Sequence, residues 1–362
     1  MTRRPGAAPH PPPRPSTPRR RSLALAALAL AWPLAVLAAG PPVDPAATRQ
    51  VTEASLKAHI RFLASDALEG RGPGTRGDLL AQQYIASQLE AAGLEPAAPD
   101  GGWFQSVELV GFTGGPERLT FERGPQALEL RARRDLMVFS GGPAPSSQVE
   151  HAELIFAGYG IVAPEYHWDD FKGQDVSGKI LVVLNNDPEA DPALFAGKTR
   201  LWYGRWDYKY LEALAHGAAG CLIIHTTPSA GYPWQVVQTS WAGEQVELPG
   251  AARHLELRGW LTEEASRRVL ALGGQDLDAL RARAERPDFR PVPLQVTLSA
   301  RWTNVLTRRR SANVLARLPG SDPALAREVV VLSAHHDHLG LKASATQNPR
   351  GASPPARRDH FI

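Results

Sequence analysis

The segment that most constrains this chain runs from Glu328 to Gly340, EVVVLSAHHDHLG. Glu328 to Ala334 is short, β-branched and apolar, bounded by polar residues, and predicts a strand buried on both faces of a parallel sheet. His335 would then stand at the strand's carboxyl end, the edge where open α/β sheets gather ligands. In an extended segment residues i and i+2 share a side, so His335 and Asp337 can meet. A carboxylate that accepts the ring N–H of a metal-bound imidazole fixes its tautomer and strengthens it as a ligand. The pair reads either as one ligand with its orienting partner or as a hydrogen-bonded strand end. His336 and His338 would face the other way, as surface or packing histidines.

A metal centre needs more than this. A zinc site takes three or four ligands, and a water-activating one keeps a position open. After Gly340 the sequence supplies Asp359 and His360 and no Glu or Cys. Residues 342–362 carry no apolar periodicity, and their Pro, Ser, Ala and Arg bias predicts a disordered or out-of-frame tail.

The residues also carry a resemblance. "SANVLARLPGSD" from Ser311, followed by "EVVVLSAHHDHLG", resembles the entry to the catalytic domain of the M28 family of zinc aminopeptidases. "HIRFLASDALEGRGPGTRGDLLAQQYIASQLEAAGLEP" (His59 to Pro96) resembles that family's N-terminal helical segment. "GYGIVAPEYHWDDFKGQDVSGKILVVLNNDP" (Gly158 to Pro188) resembles the protease-associated (PA) domain inserted in its larger exported members. The match runs from about Val51 to Leu341, with the three segments in order.

The resemblance implies an α/β fold: the N-terminal portion of a doubly wound, phosphorylase/hydrolase-like peptidase domain, truncated and interrupted by a β-rich PA insert. It implies boundaries at 46–110 for the helical segment, 111–297 for the insert with its PA core at about 150–250, and 298–341 for the start of the peptidase domain. It implies His335 as a metal ligand, Asp337 as its orienting partner, two zinc ions, and peptide substrates that lose N-terminal residues. The family's bridging Asp, in a segment like N-G-A-x-D-N-A-S-G, and its general-base Glu are absent, so the implied enzyme is here an incomplete and inactive form. The alternative is a non-catalytic binding fragment built on the PA insert.

Charge and leader agree with export. The net charge of +3 conceals a basic leader: residues 1–39 hold six Arg and no Asp, Glu or Lys, and without them 34 basic residues face 37 acidic ones. Nothing in that balance points to nucleic acid. Arg19-Arg20-Arg21 before the uncharged run Ser22 to Ala39, with small residues at Val36-Leu37-Ala38, reads as a signal peptide. The expected location is periplasmic or secreted, with no stable membrane association after cleavage. Nothing in the sequence sets an oligomeric state. Cys221, the single cysteine, has no internal disulfide partner and reads as a small buried strand residue.

Thr52 to Ala64 places Leu56, His59, Ile60 and Leu63 on one helical face. The turn Glu69 to Gly74 leads to a second helix that Thr75 can cap, with Asp78 completing a capping box and Gly93 and Pro96 ending it. Strands are expected at Ala152 to Ala157, Lys179 to Leu184 and Cys221 to His225, with a helix over Tyr210 to Ala219. Thr262 reads as a cap of a charged helix start. The aromatic run Trp202 to Tyr210 either lines a peptide cleft or packs the insert. Asp169, Asp170 and Asp187 lack EF-hand spacing and read as solvated turn carboxylates. No G-x-S-x-G elbow surrounds Ser240 or Ser333, which argues against a serine hydrolase.

Overall fold

The computed structural model describes residues 51–250 and 253–341. The leader and the tail after Leu341 lie outside the described residues. The chain divides at Phe62 into two compact units. Of the first, the structure describes helix α1 (Glu53–Leu63), tied by a Lys57–Glu53 pair one turn apart. The expected apolar face is not a buried one: no residue of α1 is buried, and Leu56 and Ile60 are exposed.

The second unit is a mixed α/β structure around a nine-stranded sheet. Its strands are β1 (Phe104–Arg123), β2 (Gln126–Leu128), β3 (Leu136–Ser140), β4 (Ser146–Phe156), β5 (Ile180–Leu184), β6 (Gly220–His225), β7 (Gln245–Glu247), β8 (Leu257–Thr262) and β9 (Val292–Val314). The order across the sheet is β7-β1-β9-β4-β5-β6-β8-β3, with β2 paired to β1. The run β4-β5-β6-β8 is parallel, and every other pairing is antiparallel.

Apolar sequence explains the parallel core. β5 (ILVVL) and β6 (GCLIIH) are buried at every residue, as strands covered on both faces must be. Alternate side chains separate into two layers. Ile180, Val182, Leu184, Leu222 and Ile224 pack with helices α4 (Glu263–Leu272) and α5 (Leu277–Ala284) through Val269, Leu270, Leu277 and Leu280. Leu181, Val183, Cys221 and Ile223 pack on the other side with Tyr210 and Ala213 of α3 (Trp206–Ala215). Each such aliphatic side chain contributes roughly 1.5–3 kcal/mol against exposure.

β1 and β9 form a long antiparallel pair from Phe104↔Val314 to Glu122↔Thr297, with a register shift at Arg301/Trp302. Both strands run through the expected boundaries at 110/111 and 297/298, so the ladder is continuous there. At the start of β9, Leu294, Val296, Leu298, Ala300 and Trp302 alternate into the core. Farther along, Val305 and Leu306 of β9 are exposed, while Phe112 opposite Leu306 stays buried.

Residues 328–334 do not form the expected buried strand. Val329 to Leu332 are between 78% and 93% exposed and carry no strand pairing. The physical reason is positional. β-propensity is realised only against neighbours on a pleated surface, and both flanks of the parallel run are taken, by β9 beside β4 and by β3 beside β8. Among the described residues no helix is long and apolar enough to cross a membrane.

Candidate functional site

The sequence between Leu63 and Gly77 builds a cradle for the histidine segment. Glu69, Gly70 and Arg71 all take left-handed backbone conformations, at φ 49°, 69° and 50°, and the chain turns back on itself before helix α2 (Arg76–Ala91). The turn receives the later segment as a short backbone ladder: His338 N donates to Arg71 O (2.8 Å) and Gly340 N to Gly70 O (3.0 Å). Arg71 Nε donates to His336 O at 2.8 Å. The glycines are required by close approach. A Cβ on Gly70 would stand 2.8 Å from Gly340 O, and one on Gly77 would stand 1.7 Å from Leu68 O. The Gly-rich turn is therefore a docking surface for residues 336–340.

Helix α2 supplies the polar anchor. Thr75 caps it, its Oγ1 accepting from Asp78 N at 3.4 Å. The expected capping box closes differently: the Asp78 carboxylate reaches Gly74 N (2.8 Å) rather than the Thr75 amide, which donates to Gly72 O. Asp78 is fully buried. Its Oδ2 also accepts from Ser311 Oγ at 2.7 Å, and its Oδ1 accepts from His336 Nε2 at 2.9 Å. Gln82 Nε2 donates to Ser311 Oγ at 3.2 Å. Burial alone would raise the Asp78 carboxyl, but the hydrogen bonds from His336, Gly74, Ser311 and Gln82 outweigh it and hold the group below the usual carboxylate range. A two-residue ladder, Glu95–Pro96 against Ala316–Arg317, ties the chain beyond β9 back to the end of α2.

His336 thus faces inward, and His335 outward. The His335 side chain is 79% exposed; its Nδ1 lies 2.9 Å from the Asp337 carbonyl oxygen and 3.4 Å from Asp337 Oδ1. A carbonyl oxygen only accepts, so Nδ1 carries the proton and the lone pair belongs to Nε2 on the far side of the ring. That is the tautomer a ligand or a proton acceptor needs. The structure brings His335 and Asp337 together. It adds the inner pair His336–Asp78, which sequence reasoning left as a packing histidine and a helix-cap carboxylate. The available signal was the S/T-x-x-D start of α2, read for capping alone.

Metal-ligand chemistry at this position is limited. Among the described residues no group of three or more His, Cys, Asp or Glu side chains converges to hold an ion. His335 and Asp337 would supply one imidazole and its orienting partner, which does not fit a zinc pair.

The other candidates resolve as packing or buried charge. Tyr203 and Tyr208 of the aromatic run form edge contacts with each other, at 5.2 Å between ring centroids, and Tyr203 meets Phe195 at 5.8 Å. Asp169 is a turn carboxylate, accepting from Phe171 N and Lys172 N. Asp170 and Asp187 are not solvated: both are buried, because the parallel strands end around them. Asp170 accepts from Tyr159 N, Ile161 N and Trp168 Nε1. Lys209 is buried with them, its ammonium carrying no hydrogen-bond partner among the described residues, and burial pulls its pKa down.

No protein-family model matches the chain, and no curated protein matches it. Three solved structures with some likeness are aminopeptidases, two of them described as zinc aminopeptidases. An aminopeptidase from Aneurinibacillus sp. strain AM-1 is 19% identical at a TM-score of 0.35, the match covering 76% of this chain and 50% of that one. BSAP, a zinc aminopeptidase from Bacillus subtilis, is 18% identical at a TM-score of 0.26, covering 74% and 47%. A second BSAP structure is 17% identical at 0.25, covering 73% and 46%. The chain spans about half the length of these proteins. Likeness at this level transfers neither site nor chemistry.

Proposed function

We propose that the chain is an exported polypeptide of the M28-type zinc aminopeptidases, enzymes that release N-terminal residues from peptides, with a PA-type insert between about 111 and 297. One observation carries the reading: the Gly-rich turn and α2 start, and the HHDHLG segment, are two of the stretches on which the resemblance rests, and they meet through three hydrogen bonds at Arg71 and Gly70 and through the Asp78–His336 pair. In this reading His335 is a metal ligand through Nε2 and Asp337 positions its ring. The described residues supply too few donors to hold zinc, so no catalytic step is assigned to them. Export rests on the Arg-rich leader and its uncharged run.

The test is an aminoacyl-anilide assay on two polypeptides. One is the 362-residue chain. The other is extended by translating the DNA beyond the Leu341 codon in the frame that restores the remaining ligand segments. The reading expects chelator-sensitive release only from the extended chain, lost in His335→Ala. Turnover by the extended chain that survives His335→Ala, or no such frame in the DNA, contradicts it.

A further inference from the structure

The sheet ends at β3, whose second edge pairs with no strand among the described residues. Residues 113–116 of β1 pair with β9 alone, because β7 reaches only to Phe112. A cavity of about 150 Å³ lies between these two free edges, bordered by residues 112–116 of β1, residues 136–139 of β3, and Trp241 to Gly243 before β7. It shares no residue with the histidine cradle.

Aromatic and apolar side chains make most of its wall. Phe112, Met137 and Phe139 are buried. Trp241 lies face to face with Phe139, 4.6 Å between centroids and 10° between planes, and is held from the side by Trp206 at 5.1 Å. Among the described residues no carboxylate borders the cavity, and the one charged neighbour is the exposed Arg133.

The polar point is Asn304, which stands opposite Gly114 in the ladder and is 8% exposed. Its Nδ2 donates to Ala144 O (2.7 Å) and to Ser140 Oγ (2.8 Å), and that hydroxyl gives its own proton to Gly142 O (3.0 Å). Ala144 O only accepts, so the amide is fixed in this orientation and both of its N–H groups are used. Oδ1 is left as the free acceptor. It stands over the backbone of Gly114, which borders the cavity with it: a Cβ there would come within 2.3 Å of Oδ1. The side-chain atoms that are both sealed and unpartnered among the described residues belong to Asn185, Lys209, Arg258, Trp260 and Trp302, so Oδ1 is reached from the cavity.

A single aromatic ring with one hydrogen-bond donor matches each part. An apolar cavity of ~150 Å³ holds a benzene ring, and aromatic walls favour offset or edge-on rings. The amide oxygen takes an O–H, and no carboxylate offers a place to a cation. We propose that this cavity binds a small neutral phenol, its ring against Phe139 and Trp241 and its hydroxyl donating to Asn304 Oδ1. The same ring on a tyrosine side chain brings a backbone larger than a cavity of this volume holds.

The experiment uses Met137 as reporter. The chain has two methionines, Met1 and Met137, so a 13C-methyl methionine label puts one signal in the cavity wall. Titration of the purified chain with phenol is expected to shift the Met137 methyl resonance saturably, with a dissociation constant on the order of 1 mM. Fluorobenzene, a ring of similar size without a donor, should bind about three- to tenfold more weakly, and N-acetyltyrosinamide at least roughly tenfold more weakly. Ala242→Leu adds bulk at a partly exposed wall position and should abolish the phenol shift, with the amide spectrum of the rest of the chain unchanged. No saturable Met137 shift up to about 10 mM phenol overturns the proposal. So does binding of fluorobenzene or N-acetyltyrosinamide as tight as that of phenol, or an undiminished phenol shift in Ala242→Leu.

Discussion

Asp78→Ala should detach the histidine segment from its cradle. The carboxylate is fully buried and accepts from Gly74 N, Ser311 Oγ and His336 Nε2 at 2.8, 2.7 and 2.9 Å. Hydrogen bonds to a charged group are worth about 1.5–3 kcal/mol each, but burying the carboxylate offsets part of that. The Ser311 hydroxyl can rotate, and His336, with its side chain 16% exposed, can recover some hydration. A net loss of about 3–4 kcal/mol follows, below the simple sum of three bonds. Asp78→Asn keeps one acceptor oxygen and turns an NH₂ toward a donor, so it should lose roughly half as much. Urea unfolding gives the total. Hydrogen exchange at His338 and Gly340, whose amides bond Arg71 O and Gly70 O, reports the local effect and should speed up more than exchange in β5. A loss under about 1 kcal/mol, or unchanged exchange at those two amides, would refute the claim that Asp78 holds this segment.

Three further outcomes follow from packing and burial. Gly77→Ala puts a Cβ 1.7 Å from Leu68 O, a backbone atom, and should cost more than about 2 kcal/mol by thermal melting, whereas Gly115→Ala, with nothing within 4 Å, should change stability by less than about 0.5 kcal/mol. His225 is buried, its Nε2 bonding Tyr232 O at 3.1 Å, and burial lowers its pKa. Its depressed folded value means stability is held in full above the unfolded pKa of about 6.5 and is lost as pH falls toward the folded one; urea midpoints at neutral and mildly acidic pH should differ less in His225→Gln. Burial also pushes the Cys221 thiol up, so a thiol reagent should label it only as the chain unfolds, and rapid labelling of the native protein would contradict its place in the core.

The elements that were legible in sequence are those whose signal is local. β5 and β6 follow from uninterrupted aliphatic runs, and α2 from the Thr75 cap and Gly93 beyond its end. What was not legible depends on distant partners. The same β-branched signal at Val329 to Val331 yields no strand, because both flanks of the parallel run are already paired, by β9 and by β3. Asp78 and His336 are 258 residues apart, and nothing in either's immediate sequence announces the pair. Asp170 and Asp187 sit in turn-like sequence, yet the sheet edge and α3 close over them. The length of β1 and β9 was hidden too, since the exposed half of the pair is rich in Arg and has no apolar alternation.

The claim that His335 is a metal ligand oriented by Asp337 is tested most directly by titrating the purified chain with zinc while following the imidazole nitrogens by NMR. The account predicts weak, single-site perturbation centred on Nε2 of His335, abolished by His335→Ala and roughly 10- to 100-fold weaker in Asp337→Asn. Tight uptake of two zinc ions by this chain, or perturbation that spares His335, would contradict it.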